Sequence, residues 1–327
     1  MNADTILDGI GLLRNHSFQG SPPQGEPHPG HDLRGDSGGG DPPALASAGD
    51  PIDGSLVLLY TGASALFRVR PEGGRIVATI DGVLGPVQTR DLGFTLMHEH
   101  ILVANRAMRH CFPGYVDREK LIRDAIRELG SLQQRGVRTM VDLTPINLGR
   151  DIRVIREVAE KSGMQLIAAT GFYWTEEPWM EAWDAEVLAE YLIREIREGI
   201  EGTDTRAGIL KCATDRLGVT PFNKKLLQAT ARAHRLTGVP ISTHTAVSNQ
   251  SGLAQQDVFE ECGVDLGRVV IGHCGDSEDI SYLESILRRG STIGMDRNGI
   301  DLILPTKQRV ATIAELCRLG WACLLYT

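Results

Sequence analysis

Histidines inside apolar segments are the residues of this chain best suited to chemistry. The segment "TLMHEHI" (95–101) places His98 and His100 in a run that otherwise looks like a buried strand. Because side chains alternate between the two faces of a strand, both imidazoles point the same way and Glu99 points the other way. Such a pair suits either two hydrogen-bonded core histidines or two ligands of a metal ion, and this segment alone does not decide between them.

Further polar residues occur near the ends of four other apolar segments. They are Lys211 in "GILKCATD", His244 in "PISTHTA", His273 in "VVIGHCGD" and Asp296 in "STIGMDR". Four of the nine histidines therefore lie in strand-like cores, near the same end of each segment. A scatter of structural histidines would not favour one end, so the pattern favours a metal site.

The segments that carry these residues alternate with amphipathic helical patterns. One helical stretch is "DREKLIRDAIRELGSLQQRG", in which Asp117 is the predicted N-cap and Gly136 ends the helix. Seven strand–helix units, with an eighth begun at "WACLLYT" (321–327), predict an α/β fold of the (β/α)8 TIM-barrel type, incomplete at strand 8 and helix 8. An open doubly wound sheet is disfavoured because no glycine fingerprint follows the first strand. In a barrel the carboxyl ends of the strands meet, so the polar residues should converge there.

The lysine in this set is unusual, because lysine is almost never fully buried without a partner. Lys211 lies inside an apolar strand aimed into the predicted barrel. A salt bridge and a Schiff-base lysine are possible interpretations. Beside several imidazoles we favour a third, in which the amine adds carbon dioxide to give a carbamate that bridges two cations.

Composition divides the chain into three regions. Residues 1–54 are rich in glycine and proline and are predicted to be a disordered extension; residues 55–93 contain short β-like segments that suggest a hairpin; residues 94–327 form the predicted barrel. The net charge of −8 gives no electrostatic reason to expect nucleic acid or an anionic membrane as partner. No run reaches the ~20 apolar residues of a spanning helix, and the six cysteines show no framework spacing, so we expect a soluble, cytoplasmic protein.

Six motifs of this chain together resemble the phosphotriesterase family of the amidohydrolase superfamily. They are "GPVQTRDLGFTLMHEHI", "ATGFYW", "AGILKCATD", "ISTHT", "VVIGHCGDS" and "GMDR". The resemblance extends over about residues 76–320, and "GILKCATD" with "IGHCGD" is most similar to the lactonase branch.

The resemblance implies a binuclear centre of two divalent metal ions, zinc first, with iron, cobalt or manganese as alternatives. His98 and His100 match the ligands of one metal, and His244 and His273 match those of the other. Lys211 matches the bridging lysine that is carboxylated by CO2. A hydroxide activated by the two metals would attack a lactone carbonyl or a phosphotriester. The substrate would be a small molecule, and a homodimer is expected by analogy.

Three further residues match positions of the family outside the metal ligands. Tyr173 matches an aromatic residue beside the bridging solvent, Arg297 a substrate-pocket arginine, and Asp276 an acid near the site. Three tryptophans follow the third barrel strand and form either an apolar wall for an acyl chain or the packing of an irregular loop; these are Trp174, Trp179 and Trp183.

One family feature is missing. Members end strand 8 with Ser-His-Asp, whose aspartate binds a metal and accepts a proton, whereas this chain reads "RLGWACLLYT". Asp296 and Asp301 belong to strand 7 and its loop, so neither fills that role by position. We interpret the tail as an altered or truncated reading frame and expect an impaired or inactive enzyme.

The sequence thus supports three functions. The first hypothesis is a lactonase-like hydrolase with side activity on organophosphates, and the second is an organophosphate phosphotriesterase. From another class, the chain could be a non-catalytic metal-binding protein or an inactive truncated form. A zinc deaminase is disfavoured, because a single-metal site has no use for a bridging lysine.

Overall fold

The computed structural model describes residues 68–72 and 75–327, with side chains from residue 78 onward. The predicted disordered extension 1–54 and the β-like segment "SLVLLY" lie outside the described residues.

A small antiparallel sheet precedes the main domain. It consists of β1 (Arg68–Glu72), β2 (Arg75–Gly82) and β3 (Gly85–Gln88), in that order. The turn between β2 and β3 is attached to the main domain at Val83, whose N–H donates to the Leu166 carbonyl at 2.7 Å and whose carbonyl accepts from the Thr205 hydroxyl at 3.0 Å. Leu166 lies near the start of a barrel strand, so this sheet lies at the amino-terminal end of the barrel.

Eight parallel strands form a nearly closed barrel, and this confirms the predicted TIM-barrel class. The strands are β4 (Phe94–Glu99), β5 (Val137–Asp142), β6 (Gln165–Gly171), β7 (Ile209–Ala213), β8 (Ile241–His244), β9 (Val269–Ile271), β10 (Thr292–Gly294) and β11 (Leu325–Tyr326). They are hydrogen-bonded in chain order, and β4 and β11 are the two edges of the described sheet. The short eighth strand pairs Leu325 with Ile293 and Tyr326 with Gly294.

Helices occupy the connections between the strands. They are α1 (Arg106–Cys111), α2 (Arg118–Gln134), α3 (Ile152–Ser162), α4 (Ala185–Arg197), α5 (Pro221–Thr237), α6 (Ser251–Glu261), α7 (Ile280–Arg288) and α8 (Thr306–Arg318). The predicted ends of α2 are confirmed, since the Asp117 side chain accepts from the Lys120 N–H and Gly136 adopts a φ of 92°. The structure adds α1 and α6, and α6 begins without a side-chain cap. No helix in the described residues is long and apolar enough to cross a membrane.

The hydrophobic core lies between the barrel wall and the surrounding helices. Strands β7 and β8 are buried along their whole length, as expected for parallel strands covered by helices. Helix faces carrying Ile155, Leu188 and Leu226 pack onto this wall, and each of these side chains is buried. The apolar wall leaves the carboxyl ends of the strands as the place where polar side chains gather.

Candidate metal centre

The four histidines and the lysine singled out from the sequence lie together at the carboxyl end of the barrel. His98 Nε2 is 2.8 Å from Lys211 Nζ. The ring of His98 lies 5.5 Å from that of His100 and 4.5 Å from that of His273, and His273 lies 4.4 Å from His244, measured between centroids. These five residues come from four separate strand regions, so the barrel topology brings them together.

Two glycines make this close approach possible. A Cβ on Gly171, where φ is +144°, would lie 1.7 Å from the Lys211 carbonyl oxygen. A Cβ on Gly272 would lie 2.2 Å from the Thr243 carbonyl oxygen and 3.3 Å from the His98 ring. His273 itself has a φ of 62°, which a non-glycine residue adopts only at a cost and which marks functional sites in many proteins.

The Asp296 carboxylate joins two of the histidines. Its Oδ1 is 2.9 Å from His273 Nδ1, and its Oδ2 is 3.1 Å from His98 Nδ1. Since a carboxylate only accepts, both imidazoles donate through Nδ1–H, and this fixes the tautomer that keeps the Nε2 lone pair available. The sequence analysis placed Asp296 at the end of its strand but gave it no role in the site. The signal was its position, which is equivalent to that of the histidines.

Burial controls the charge of these groups. Burial, together with the charge of Lys211, lowers the pKa of His98 to about 4, and burial also lowers the pKa of His244 to about 4. Burial lowers the pKa of Lys211 to about 7. At neutral pH the imidazoles are therefore uncharged, which is the form that binds a metal, and a large share of the amine is uncharged, which is the form that adds CO2.

The donor set suits a divalent cation. His98, His273 and Asp296 carry potential ligand atoms within 4.8 Å of one another, and Asp296 already accepts from the other two through Nδ1–H. His273 Nε2 also faces His244 Nδ1 at 2.9 Å, so two imidazole nitrogens converge on one point. Imidazole and carboxylate donors fit zinc and neighbouring transition metals, and a carbamate on Lys211 would add oxygen donors.

Polar residues that the sequence analysis missed surround this cluster. His100 Nδ1 is 2.9 Å from the Thr144 hydroxyl, and Asp142 accepts the backbone N–H groups of Ile101 and Thr144. Asp215 Oδ2 lies 3.5 Å from His244 Nε2. Asp142 ends β5, and Thr144 and Asp215 lie two residues beyond the ends of β5 and β7. This position at the carboxyl ends of strands is the one signal in the sequence that indicated them.

The three other predicted site residues lie at the same end of the barrel. The Tyr173 ring is 5.2 Å from the His244 ring. Arg297 has a φ of 62° and donates to Asp276 Oδ2 at 2.5 Å. The Asp276 carboxylate also accepts from Arg309 at 2.7 Å, so its described side-chain hydrogen bonds go to two arginines rather than to the histidine rings.

The three tryptophans do not form one wall. Trp174 lies 6.1 Å from the Tyr173 ring, between centroids, and so adjoins the site. Trp183 stacks on Tyr191 of α4 at 5.1 Å and contacts Trp179 at the same distance. The last two therefore pack an irregular loop against a helix, which was one of the two predicted roles.

Comparisons with known proteins agree with this geometry. The profile of the Phosphotriesterase family matches residues 78–325. A "Phosphotriesterase homology protein" of Mycobacterium tuberculosis is 45% identical over 248 residues, covering 73% of this chain and 76% of the relative. An "Aryldialkylphosphatase" of Saccharolobus solfataricus is 40% identical and covers 72% of this chain and 76% of its own length.

A solved structure gives the same result. The phosphotriesterase from Mycobacterium tuberculosis superimposes with a TM-score of 0.72 at 44% sequence identity, covering 74% of this chain and 78% of that one. The fold, the clustered residues and these matches agree: the chain belongs to the phosphotriesterase family and is a phosphotriesterase-like hydrolase.

Proposed function

We propose that this protein is a metal-dependent hydrolase of the lactonase type, with two divalent cations, zinc first. His98 and His100 would hold one cation, and His244 and His273 the other. Lys211, carboxylated by CO2, would contact both. The observation that carries the proposal is a buried Lys211 amine 2.8 Å from a buried imidazole, with three further imidazoles around that one.

When bound, two such cations supply Lewis acidity and make a water acidic enough to attack at neutral pH. The remaining chemistry belongs to the chain. Asp296 holds the Nδ1 protons of His98 and His273, so both rings keep one orientation. The Tyr173 phenol and the Arg297 guanidinium, which is one-quarter exposed, would orient the carbonyl or phosphoryl oxygen of the substrate.

Phosphotriesterase activity is the second candidate, and the name of the aryldialkylphosphatase relative favours it. The two candidates are separated by measuring kcat/KM of the zinc-loaded protein on an acyl lactone and on an aryl dialkyl phosphotriester. A larger kcat/KM on the lactone supports the lactonase assignment, and the reverse order supports the triesterase.

Metal content tests the centre itself. Elemental analysis should find two zinc ions per chain, and His244→Ala should lose metal and turnover on both substrates. His110→Ala removes an exposed imidazole outside the cluster and is the matched control. Two metals without turnover would favour the non-catalytic metal-binding form, and no metal would favour the inactive form.

The hydrogen bonds of Asp296 limit its role in turnover. Asp296 accepts hydrogen bonds from His98, His273 and Tyr326, so it is poorly placed to take a proton from an attacking water. The homodimer and the cytoplasmic location stay predictions.

A further inference from the structure

The side chain of Tyr326 lies next to the metal centre. The pairing of β11 with β10 sets Tyr326 beside Gly294, and its hydroxyl donates to Asp296 Oδ2 at 3.0 Å. A Cβ on Gly294 would lie 2.8 Å from that hydroxyl and 2.9 Å from Asp296 Oδ2. The glycine therefore leaves the space in which the phenol reaches the carboxylate.

The phenol completes an asymmetric set of donors around Asp296. Oδ1 accepts from His273 Nδ1–H, whereas Oδ2 accepts from His98 Nδ1–H, from the His273 backbone N–H at 3.1 Å and from the Tyr326 hydroxyl. A carboxylate can turn about its Cβ–Cγ bond, and the two extra donors on Oδ2 oppose that rotation. Each oxygen then stays with one imidazole ring.

This arrangement has a consequence for the two imidazoles. With both Nδ1–H groups bound to Asp296, His98 Nε2 faces Lys211 and His273 Nε2 faces His244. Loss of the Tyr326 hydrogen bond would free the carboxylate to rotate and would loosen both rings at once. Partners of this kind outside the ligands typically change metal affinity or activity by about 10–100-fold.

We propose that Tyr326 is a positioning residue for a divalent-cation site: its hydroxyl fixes Asp296 so that His98 and His273 present their Nε2 lone pairs together. This inference rests on the proposed metal-dependent function. It assigns to β11 an indirect role in metal binding, through a phenol that supports Asp296.

The test uses the full chain, freed of metal and titrated with zinc against a chromophoric chelator. Tyr326→Phe removes only the hydroxyl and should raise the zinc Kd by about tenfold, the lower end of the range for such partners. Asp296→Asn should raise it by more, because it removes an acceptor shared by two imidazoles. Tyr191→Phe removes a phenol hydroxyl on α4, away from the centre, and should leave the Kd unchanged.

A second variant guards against misfolding of the first. Gly294→Ala keeps Tyr326 but places a methyl group 2.8 Å from its hydroxyl and 2.9 Å from Asp296 Oδ2, between the two, so it should also raise the zinc Kd. Thermal unfolding of each metal-free variant reports its fold. A purely structural role for Tyr326 would lower the unfolding temperature and leave the zinc Kd unchanged.

Nitrogen-15 NMR of the histidine rings in the metal-free protein gives a readout that needs no metal. The wild type should show two rings held as Nδ1–H tautomers, and Tyr326→Phe should show these rings exchanging between tautomers. The inference is overturned, and the proposed function is not, if Tyr326→Phe keeps the wild-type tautomers and the wild-type zinc Kd while Asp296→Asn binds zinc more weakly. The wild type could instead bind no zinc while the histidine tautomers still differ between the wild type and Tyr326→Phe. That result would overturn the proposed function and leave the positioning role supported.

Discussion

The Asp276 carboxylate lies between two guanidinium groups, and replacing it by asparagine removes the charge that holds both. Its oxygens accept from Arg297 at 2.5 Å and from Arg309 at 2.7 Å. The Arg309 side chain is 0% exposed and that of Asp276 is 7% exposed, so water cannot compensate for the lost charge.

The size of the effect follows from these contacts. Removing one partner of a buried ion pair costs about 3–5 kcal/mol. Asparagine retains one acceptor oxygen, and Arg309 keeps hydrogen bonds to the carbonyl groups of Leu304 and Asp296. We therefore expect Asp276→Asn to lower the free energy of unfolding by about 3 kcal/mol, the lower end of that range. The partly exposed Arg297 contributes less, because solvent screens its charge.

Urea denaturation of the metal-free protein measures this loss, with Asp257→Asn as the matched control. Asp257 pairs with Arg289 at 2.8 Å, but its side chain is 63% exposed, so its loss should cost less than about 1 kcal/mol. A double-mutant cycle with Arg309→Met isolates the coupling between Asp276 and Arg309. Zinc stoichiometry should stay at the wild-type value, and KM should rise because Arg297 is released.

Two results would refute this reasoning. One is an unfolding free energy in Asp276→Asn that falls no further than in the Asp257→Asn control. The other is a coupling energy below about 0.5 kcal/mol, which is the level at which independent sites are additive. Loss of zinc in a folded Asp276→Asn protein would instead show that the acid acts directly on the metal centre.

Three further predictions concern the barrel and its charges. Gly171→Ala should prevent stable folding, since a Cβ there would lie 1.7 Å from the Lys211 carbonyl oxygen; a wild-type melting temperature would contradict this. Lys211→Met should lose zinc in elemental analysis. Its free energy of unfolding in urea at pH 7, without metal, should nevertheless exceed that of the wild type by roughly 4 kcal/mol, because the buried amine has its pKa lowered from 10.5 to about 7. Equal metal content or lower stability would count against a buried, metal-bridging amine. The metal-free wild type should lose stability as the pH falls from about 6.5 to 4. The pKa values of His98 and His244 lie near 4 in the folded protein, so the unfolded chain binds more protons in that range. Urea midpoints that stay constant over this pH range would disprove the prediction.

The sequence determined the class of fold and the members of the cluster. Strand and helix periods are local, and a helix such as α2 is bounded by its own cap residues, so alternation alone predicted the barrel. The position of Lys211, His244 and His273 near the ends of their strands then implied that they meet, because parallel strands share one carboxyl edge. Helix α6 was not predicted, because most of the side chains it buries are small or polar, Ser251, Gln255 and Gln256 among them, so its sequence shows no clear apolar stripe.

Only the tertiary structure decided which atoms face one another. His98 and Asp296 are 198 residues apart, and whether a carboxylate reaches one imidazole or two depends on side-chain distances of a few ångströms that no sequence period encodes. Tyr326 reaches Asp296 because of the register between β10 and β11, and Arg309 reaches Asp276 from α8. The local sequence pattern shows which polar residues lie at the strand ends. Their hydrogen-bond partners are decided by the packing of elements that are distant in the chain.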